Sequence, residues 1–80
     1  MKATFYGRAG CHLCEEAYEE LLAVLEEEWF ELEVLDVSLD PGLNRQYGER
    51  VPVLAADGED LLELGFDAAS VRAVLSRVGP

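Results

Sequence analysis

Eighty residues hold one domain, and seventeen acidic against six basic side chains leave a formal charge of −11. That charge repels phosphate backbones and anionic bilayers, so neither nucleic acid nor a membrane is expected as a partner. No run approaches the ~18–20 apolar residues that a bilayer span requires.

Half of the residues are nonetheless apolar and are spread along the whole chain, which is the composition of a folded domain rather than a disordered one. The opening Met1-Lys2-Ala3-Thr4-Phe5-Tyr6 carries no apolar signal core and no small-residue cleavage site. A cytoplasmic location is therefore expected.

Residues 2–6 alternate and include β-branched and aromatic side chains, which predicts a strand. Gly7-Arg8-Ala9-Gly10 reads as a loop. From His12 to about Glu28, Ala17, Leu21, Val24 and Leu25 recur at helical spacing, widened by Tyr18 and Leu22, with glutamates on the other side. Glu26-Glu27-Glu28 puts negative charge at the negative pole of this helix, so its end is expected to fray.

Phe30 to Val37 reads as a second strand, half exposed at first and buried on both faces later. Asp40-Pro41 is a helix start, with Asp as N-cap and Pro at the first helical position. Leu39, Leu43 and Tyr47 then keep a four-residue spacing up to Gly48, a C-terminal stop. Val51-Pro52-Val53-Leu54-Ala55 predicts a third strand, Asp57-Gly58 a tight hairpin, and Glu59–Leu64 a fourth strand antiparallel to the third. Asp67 can cap a last helix from Ala68 to about Val78, with Val71, Val74, Leu75 and Val78 as its buried face.

The order βαβαββα predicts an α/β fold in which residues 1–80 form a single domain. Its four-stranded mixed sheet carries helices on both faces. Crossover helices between the first three strands imply parallel neighbours, and the hairpin adds an antiparallel edge.

Both cysteines of the chain lie within Cys11-His12-Leu13-Cys14. A disulfide stabilises a fold by closing a long loop in the unfolded chain, and so short a loop makes a poor staple. In a small cytosolic protein this spacing points to redox or metal chemistry. Cys11 falls where the first loop meets the first helix. There the unpaired N–H groups and the positive end of the helix dipole favour a thiolate, the species that attacks disulfides. Cys14 stands one turn on and can resolve the mixed disulfide. Arg8 and His12 add positive charge beside the thiolate, while Glu15 and Glu16 act against it.

Other readings stay open on the residues alone. As zinc ligands the pair lacks company, because His12 is the only histidine and a tetrahedral site would need a second chain. Metal or iron–sulfur handling by a dimer around Cys11 is that alternative. A non-catalytic adaptor that binds an extended peptide along Val51-Pro52 is another. His12 and Arg8 also read as plain solvated side chains, and Pro52 as an ordinary strand-edge proline.

Cys-x-x-Cys at the mouth of the first helix, Val51-Pro52 opening the third strand, the Asp-Gly hairpin and the closing helix together resemble the glutaredoxins. The chain looks most like the short glutaredoxin-like proteins of bacteria, in which Tyr47-Gly48-x-Arg50-Val51-Pro52-Val53-Leu54 is a familiar run. The resemblance spans essentially the whole chain and implies the thioredoxin fold.

It further implies that Pro52 is a cis-proline facing the dithiol and that the backbone of Val51 pairs antiparallel with a bound glutathione or peptide. Arg8 stands where glutaredoxins often carry a Lys that meets the glycyl carboxylate of glutathione. Gly65-Phe66-Asp67 resembles a Gly-Gly-x-Asp turn, where Asp67 and the helix N-terminus would hold the γ-glutamyl group. The chain departs from the usual pattern in having His12-Leu13 for Pro-Tyr, Leu64 for the first Gly of the turn, and Arg50 for the usual Thr.

The sequence thus leads to a monomeric thiol–disulfide oxidoreductase with Cys11 attacking and Cys14 resolving. Arg8, His12, Val51, Pro52, Gly65 and Asp67 are its candidate substrate-binding residues. A disulfide-containing protein or glutathione is the expected partner, with glutathione the candidate reductant and no bound cofactor or metal.

Overall fold

The computed structural model describes residues 2–78. The chain runs β1 (Lys2–Gly7), α1 (His12–Glu27), β2 (Glu31–Asp36), a single 3₁₀ turn (Val37–Leu39), α2 (Pro41–Tyr47), β3 (Val53–Ala56), β4 (Glu59–Glu63) and α3 (Ala68–Val78). One mixed sheet holds the four strands in the order β2-β1-β3-β4. Element order, the three helices and the hairpin agree with the sequence reading.

Alternation along β1 sorts its side chains between two layers. Ala3 and Phe5 face one side, where α1 and α3 lie and contribute Cys14, Ala17, Leu21, Val24, Val71, Val74 and Leu75 to a common core. On the opposite side Tyr6 meets a smaller cluster of Val37, Tyr47 and Val53 beneath α2. The sheet is therefore covered on both faces, fully by the helix pair and in part by the short α2.

Local chemistry explains the boundaries. Asp40 caps α2 by accepting from the N–H groups of Gly42 (2.8 Å) and Leu43 (3.2 Å) with Oδ1, and Pro41 occupies the first turn. Asp57 and Gly58 both have positive φ, +53° and +76°, as a two-residue turn matched to the strand twist requires. At the acidic end of α1, Arg72 of α3 donates two 2.7 Å hydrogen bonds to Glu27. That fork supplies the cation the sequence of α1 lacks, and the helix continues to Glu27 despite its unfavourable last turn.

Four expectations need correction. First, β3 runs antiparallel to β1, whereas β2 is parallel to it. Helix length decides this: at ~1.5 Å per residue α1 is about 24 Å long and carries the chain back along the whole sheet, while α2 is only about 10 Å long. The chain thus enters β3 from the end at which β2 stopped.

Second, β2 is an edge strand, and Val34 is half exposed instead of buried on both sides. Third, Leu39 belongs to the 3₁₀ turn and is 82% exposed, so the apolar spacing of α2 begins at Leu43. The third strand also starts later than expected, at Val53, with residues 51–52 forming its approach.

Leu21 is wholly buried between the sheet and the helices, while Leu39 stands in solvent. Leu21→Ala should lower the unfolding free energy by about 3 kcal/mol, and Leu39→Ala by less than ~0.5 kcal/mol. Chemical denaturation of both variants checks this; equal losses would contradict the core described here.

Candidate functional site

Extended backbone at Cys11 (φ −95°, ψ 110°) ends the loop after β1 and starts α1. Its side chain takes the place usually held by Ser or Asp at a helix start. The Cys14 backbone N–H donates to Cys11 Sγ at 3.2 Å, and the Glu15 N–H donates to the Cys11 carbonyl at 3.1 Å. A sulfur at this point accepts one of the helix's unpaired donors and lies at the positive pole of α1, where negative charge is stabilised.

Both cysteines are free thiols, at different depths. Cys11 is partly exposed, whereas Cys14 is only 4% exposed and belongs to the core. Burial pushes the Cys14 thiol up to about 11; its hydrogen bond with the Cys11 side chain adds to the rise, and a backbone hydrogen bond from Arg8 opposes it. The bond that joins the two residues is the one from the Cys14 backbone N–H to Cys11 Sγ. Gly7 packs beside Cys14: a Cβ there would stand 3.0 Å from the Phe5 ring and at ordinary contact distance, 3.6 Å, from Cys14 Sγ.

Arg8 turns away from solvent and toward the end of α2. Its Nη2 donates to Asn44 Oδ1 (2.8 Å) and to the Gly48 carbonyl (2.9 Å), while its Nε is buried without a partner among the described residues. The guanidinium thereby sits at the negative pole of α2. Gly48 has no room for a side chain, since a Cβ would run into the Asn44 carbonyl oxygen and Arg8 Nη2. His12 is largely exposed and meets Glu16 Oε1 at 3.0 Å on the solvent side of α1.

The Val51–Pro52 peptide is cis. Tyr6 pairs with Val53 in the β1–β3 ladder, so the next step along the register sets Pro52 across from Gly7, the residue packed against Cys14. One expectation changes here. The Val51 N–H already donates to the Tyr47 carbonyl (3.0 Å), because α2 ends just before this turn. Only the Val51 carbonyl is left for strand-like pairing with a ligand.

Arg50 fixes the same segment from outside: Nε donates to Glu63 (2.6 Å) and Nη2 to Asp60 (2.8 Å). Its guanidinium lies 5.2 Å from the centre of the Tyr47 ring. Tyr47 in turn stacks on Tyr6 at 4.1 Å and donates to Asp60 Oδ1 at 3.3 Å. Burial, followed by the neighbouring Tyr6 and Asp60, pushes the Tyr47 hydroxyl up to about 12.

Past β4 the Leu64 N–H donates to the carbonyls of both Arg50 and Pro52 at 3.0 Å. Leu64 (φ +67°) and Gly65 (φ +124°) both have positive φ. Asp67 then caps α3, accepting from the Ser70 N–H (2.9 Å) and hydroxyl (2.8 Å), bonds that hold its carboxyl below the usual range. The Ala68 N–H donates to Glu20 of α1 at 3.3 Å. The N-terminus of α3 therefore carries two carboxylates of the chain itself.

The structure brings Cys11, Cys14, Val51 and Pro52 to one end of the sheet and engages Arg8 and Asp67 in internal hydrogen bonds. Sequence reasoning missed Gly7, Glu20 and the Tyr6–Tyr47–Arg50–Asp60 chain. Their partners lie far off along the chain, and no local spacing betrays them. Among the described residues no group of three or more His, Cys, Asp and Glu side chains is arranged to hold a metal ion, and no helix is long and apolar enough to cross a membrane.

The chain belongs to the glutaredoxin-like domain family (DUF836), whose profile matches residues 2–76. A relative from Mycobacterium bovis, Mb0520, is 32% identical over 75 residues, covering 88% of this chain and 77% of its own. The solved structure of protein XcR50 from X. campestris is similar at a TM-score of 0.80 and 35% identity, over 94% of this chain and 96% of that one. Protein Ne2328 from Nitrosomonas europaea is similar at 0.75 and 40% identity, over 91% and 88%. E. coli glutaredoxin shares the fold at a TM-score of 0.61 and 19% identity, over 98% and 96%.

The raised Cys14 thiol makes folding sensitive to alkali. Its folded value of about 11 lies above the ordinary 9.0, so its contribution is complete below pH ~9 and is lost as pH rises toward ~11, about 2–3 kcal/mol in all. Urea unfolding at pH 8 and pH 10.5 should show a smaller alkaline loss in Cys14→Ala than in the unmodified chain. Equal losses would contradict the burial of that sulfur.

Proposed function

Taking membership of that family as the premise, we propose that this protein is a thiol–disulfide oxidoreductase that works through the Cys11–Cys14 dithiol. One observation carries the proposal: Cys11 Sγ caps α1 by accepting the Cys14 N–H, with Cys14 itself buried one turn further on. A sulfur in that position is stabilised as its anion by the helix terminus and is open to a substrate, which makes it the attacking thiol.

Each step balances. The Cys11 thiolate attacks one sulfur of a substrate disulfide, a Cys11–substrate disulfide forms, and the other substrate sulfur leaves as a thiolate that takes up a proton. Cys14 then loses its proton and attacks Cys11 Sγ, forming the Cys11–Cys14 disulfide and releasing the second substrate sulfur. The substrate disulfide gains two electrons and the protein dithiol loses them.

Timing follows from the raised Cys14 thiol. In the resting protein it holds its proton at neutral pH, so it does not compete as a nucleophile. Once Cys11 is in the mixed disulfide, the negative charge and part of the hydrogen bonding that held the Cys14 proton are gone. Cys14 is then freer to ionise beside its target. A disulfide-bearing protein or glutathione mixed disulfide serves as substrate and glutathione is the candidate reductant. The cytoplasm is the compartment that keeps such a dithiol reduced, and one chain as a monomer holds every group the chemistry needs.

Single-turnover mixing of the reduced protein with a small neutral disulfide tests this. Cys11→Ser should slow the reaction by about three orders of magnitude or more, and Cys14→Ser should stop at a mixed disulfide on Cys11 that mass spectrometry identifies. Undiminished reaction in the Cys11 variant would overturn the assignment.

A further inference from the structure

The exposed large apolar side chains are unevenly placed. β1 ends at Gly7, and β2, parallel to it, ends at the same edge and releases the 3₁₀ turn with Leu39 there. β4 is antiparallel to β3, which is antiparallel to β1, so β4 also ends at this edge and delivers Leu64. Leu13 lies between the two cysteines. Of the five exposed large apolar side chains, Leu13 (51%), Leu39 (82%) and Leu64 (60%) come at this end of the sheet, while Trp29 precedes β2 at the other end and Val34 lies within β2.

Leu64 stands apart from the other two. Its φ of +67° is a backbone conformation that glycine takes freely and a leucine takes at a cost. Because the side chain is mostly in solvent, it returns little core burial to offset that cost. The backbone is held there by the two hydrogen bonds from the Leu64 N–H to the Arg50 and Pro52 carbonyls. A strained, exposed apolar residue locked beside the reactive pair serves something outside the fold.

The polar groups of the region point the same way. Glu20 and Asp67 already occupy the N-terminus of α3, and Arg8 is turned to Asn44 and Gly48. Asp60 and Glu63 neutralise Arg50. Exposed carboxylates of Glu15 and Glu49, and of Asp40 at the α2 cap, remain against the cation of Arg45, and His12 is paired with Glu16. An anionic disulfide meets repulsion here, and a cationic one meets attraction.

We infer that Leu64, with Leu13 and Leu39, forms a docking rim for a disulfide within a polypeptide segment that carries apolar and basic side chains. Small anionic disulfides are poor substrates by the same argument. This rests on the dithiol chemistry proposed above and names the substrate class for it.

The test measures single-turnover oxidation of the reduced protein by four disulfides: a peptide disulfide flanked by Leu and Lys, the same peptide with Ser and Glu, glutathione disulfide, and neutral bis(2-hydroxyethyl) disulfide. The unmodified chain should react roughly tenfold or more faster with the Leu/Lys peptide than with the Ser/Glu peptide or glutathione disulfide. Leu64→Gly should reduce the preference for the Leu/Lys peptide several-fold, change the rate with the neutral disulfide by less than about twofold, and leave stability unchanged or raised. Equal rates with the two peptides, or an unaltered preference in Leu64→Gly, would overturn the inference while the dithiol chemistry stands. No reaction of the unmodified chain with the neutral disulfide would overturn both.

Discussion

A helix start capped by sulfur is the constraint around which this molecule is arranged. The Cys14 N–H can reach Cys11 Sγ only if the chain leaves β1 through a short loop and enters α1 within a few residues, with Cys14 turned inward in the first turn. Gly7 lies directly against Cys14, where a Cβ would reach ordinary contact with it and crowd the Phe5 ring. Gly7 is in turn held in place by pairing with Asp36 of β2. Asp36 closes the arrangement, accepting from the Ala9 N–H of the loop at 3.3 Å and from the Ser38 N–H at 2.9 Å. Its carboxyl is held below the usual range chiefly by the bonds from Ser38. The placement of the two cysteines is thus set by strand register and loop length more than by the identity of the two residues between them.

Depth separates the two sulfurs chemically. Cys11 and Cys14 share one helical turn, yet the first lies at the cap and the second in the core with Ala17 and Leu21. Burial removes water from around Cys14 and disfavours its anion, while Cys11 at the cap accepts a backbone donor of the helix start. Two identical side chains acquire different roles from three residues of helix. Neither charge nor a special neighbour is required for that distinction, which accords with His12 pointing into solvent toward Glu16.

Much of this was legible from spacing. Periodic burial at Ala17, Leu21 and Val24, the Asp40-Pro41 start and the Asp57-Gly58 turn are local signals, and the structure carries each of them. What escaped was non-local. The direction of β3 depended on α2 being too short to cross the sheet, a matter of length and not of pattern. Glu20 reads as one more solvated glutamate of α1 until α3 places the Ala68 N–H against it, forty-eight residues away. The resemblance implied a Val51 backbone open to a ligand. Its N–H is taken by Tyr47 only because α2 ends where it does.

Scarcity of positive charge sharpens the last of these points. With six basic residues against seventeen acidic ones, the uses of four of the cations show what the fold ties together. Lys2 meets Glu31 and Glu33 across β1 and β2, Arg72 joins α3 to α1, Arg8 joins the dithiol loop to α2, and Arg50 joins the approach to β3 to β4. Exposed ion pairs each contribute little stability, ~0–1 kcal/mol, so their value is positional. Two of the four add side-chain ties to irregular backbone, at the loop before the cysteines and at the segment bearing Pro52. The remaining carboxylates stay uncompensated at the surface, and the negative field they leave is the first thing a diffusing partner meets.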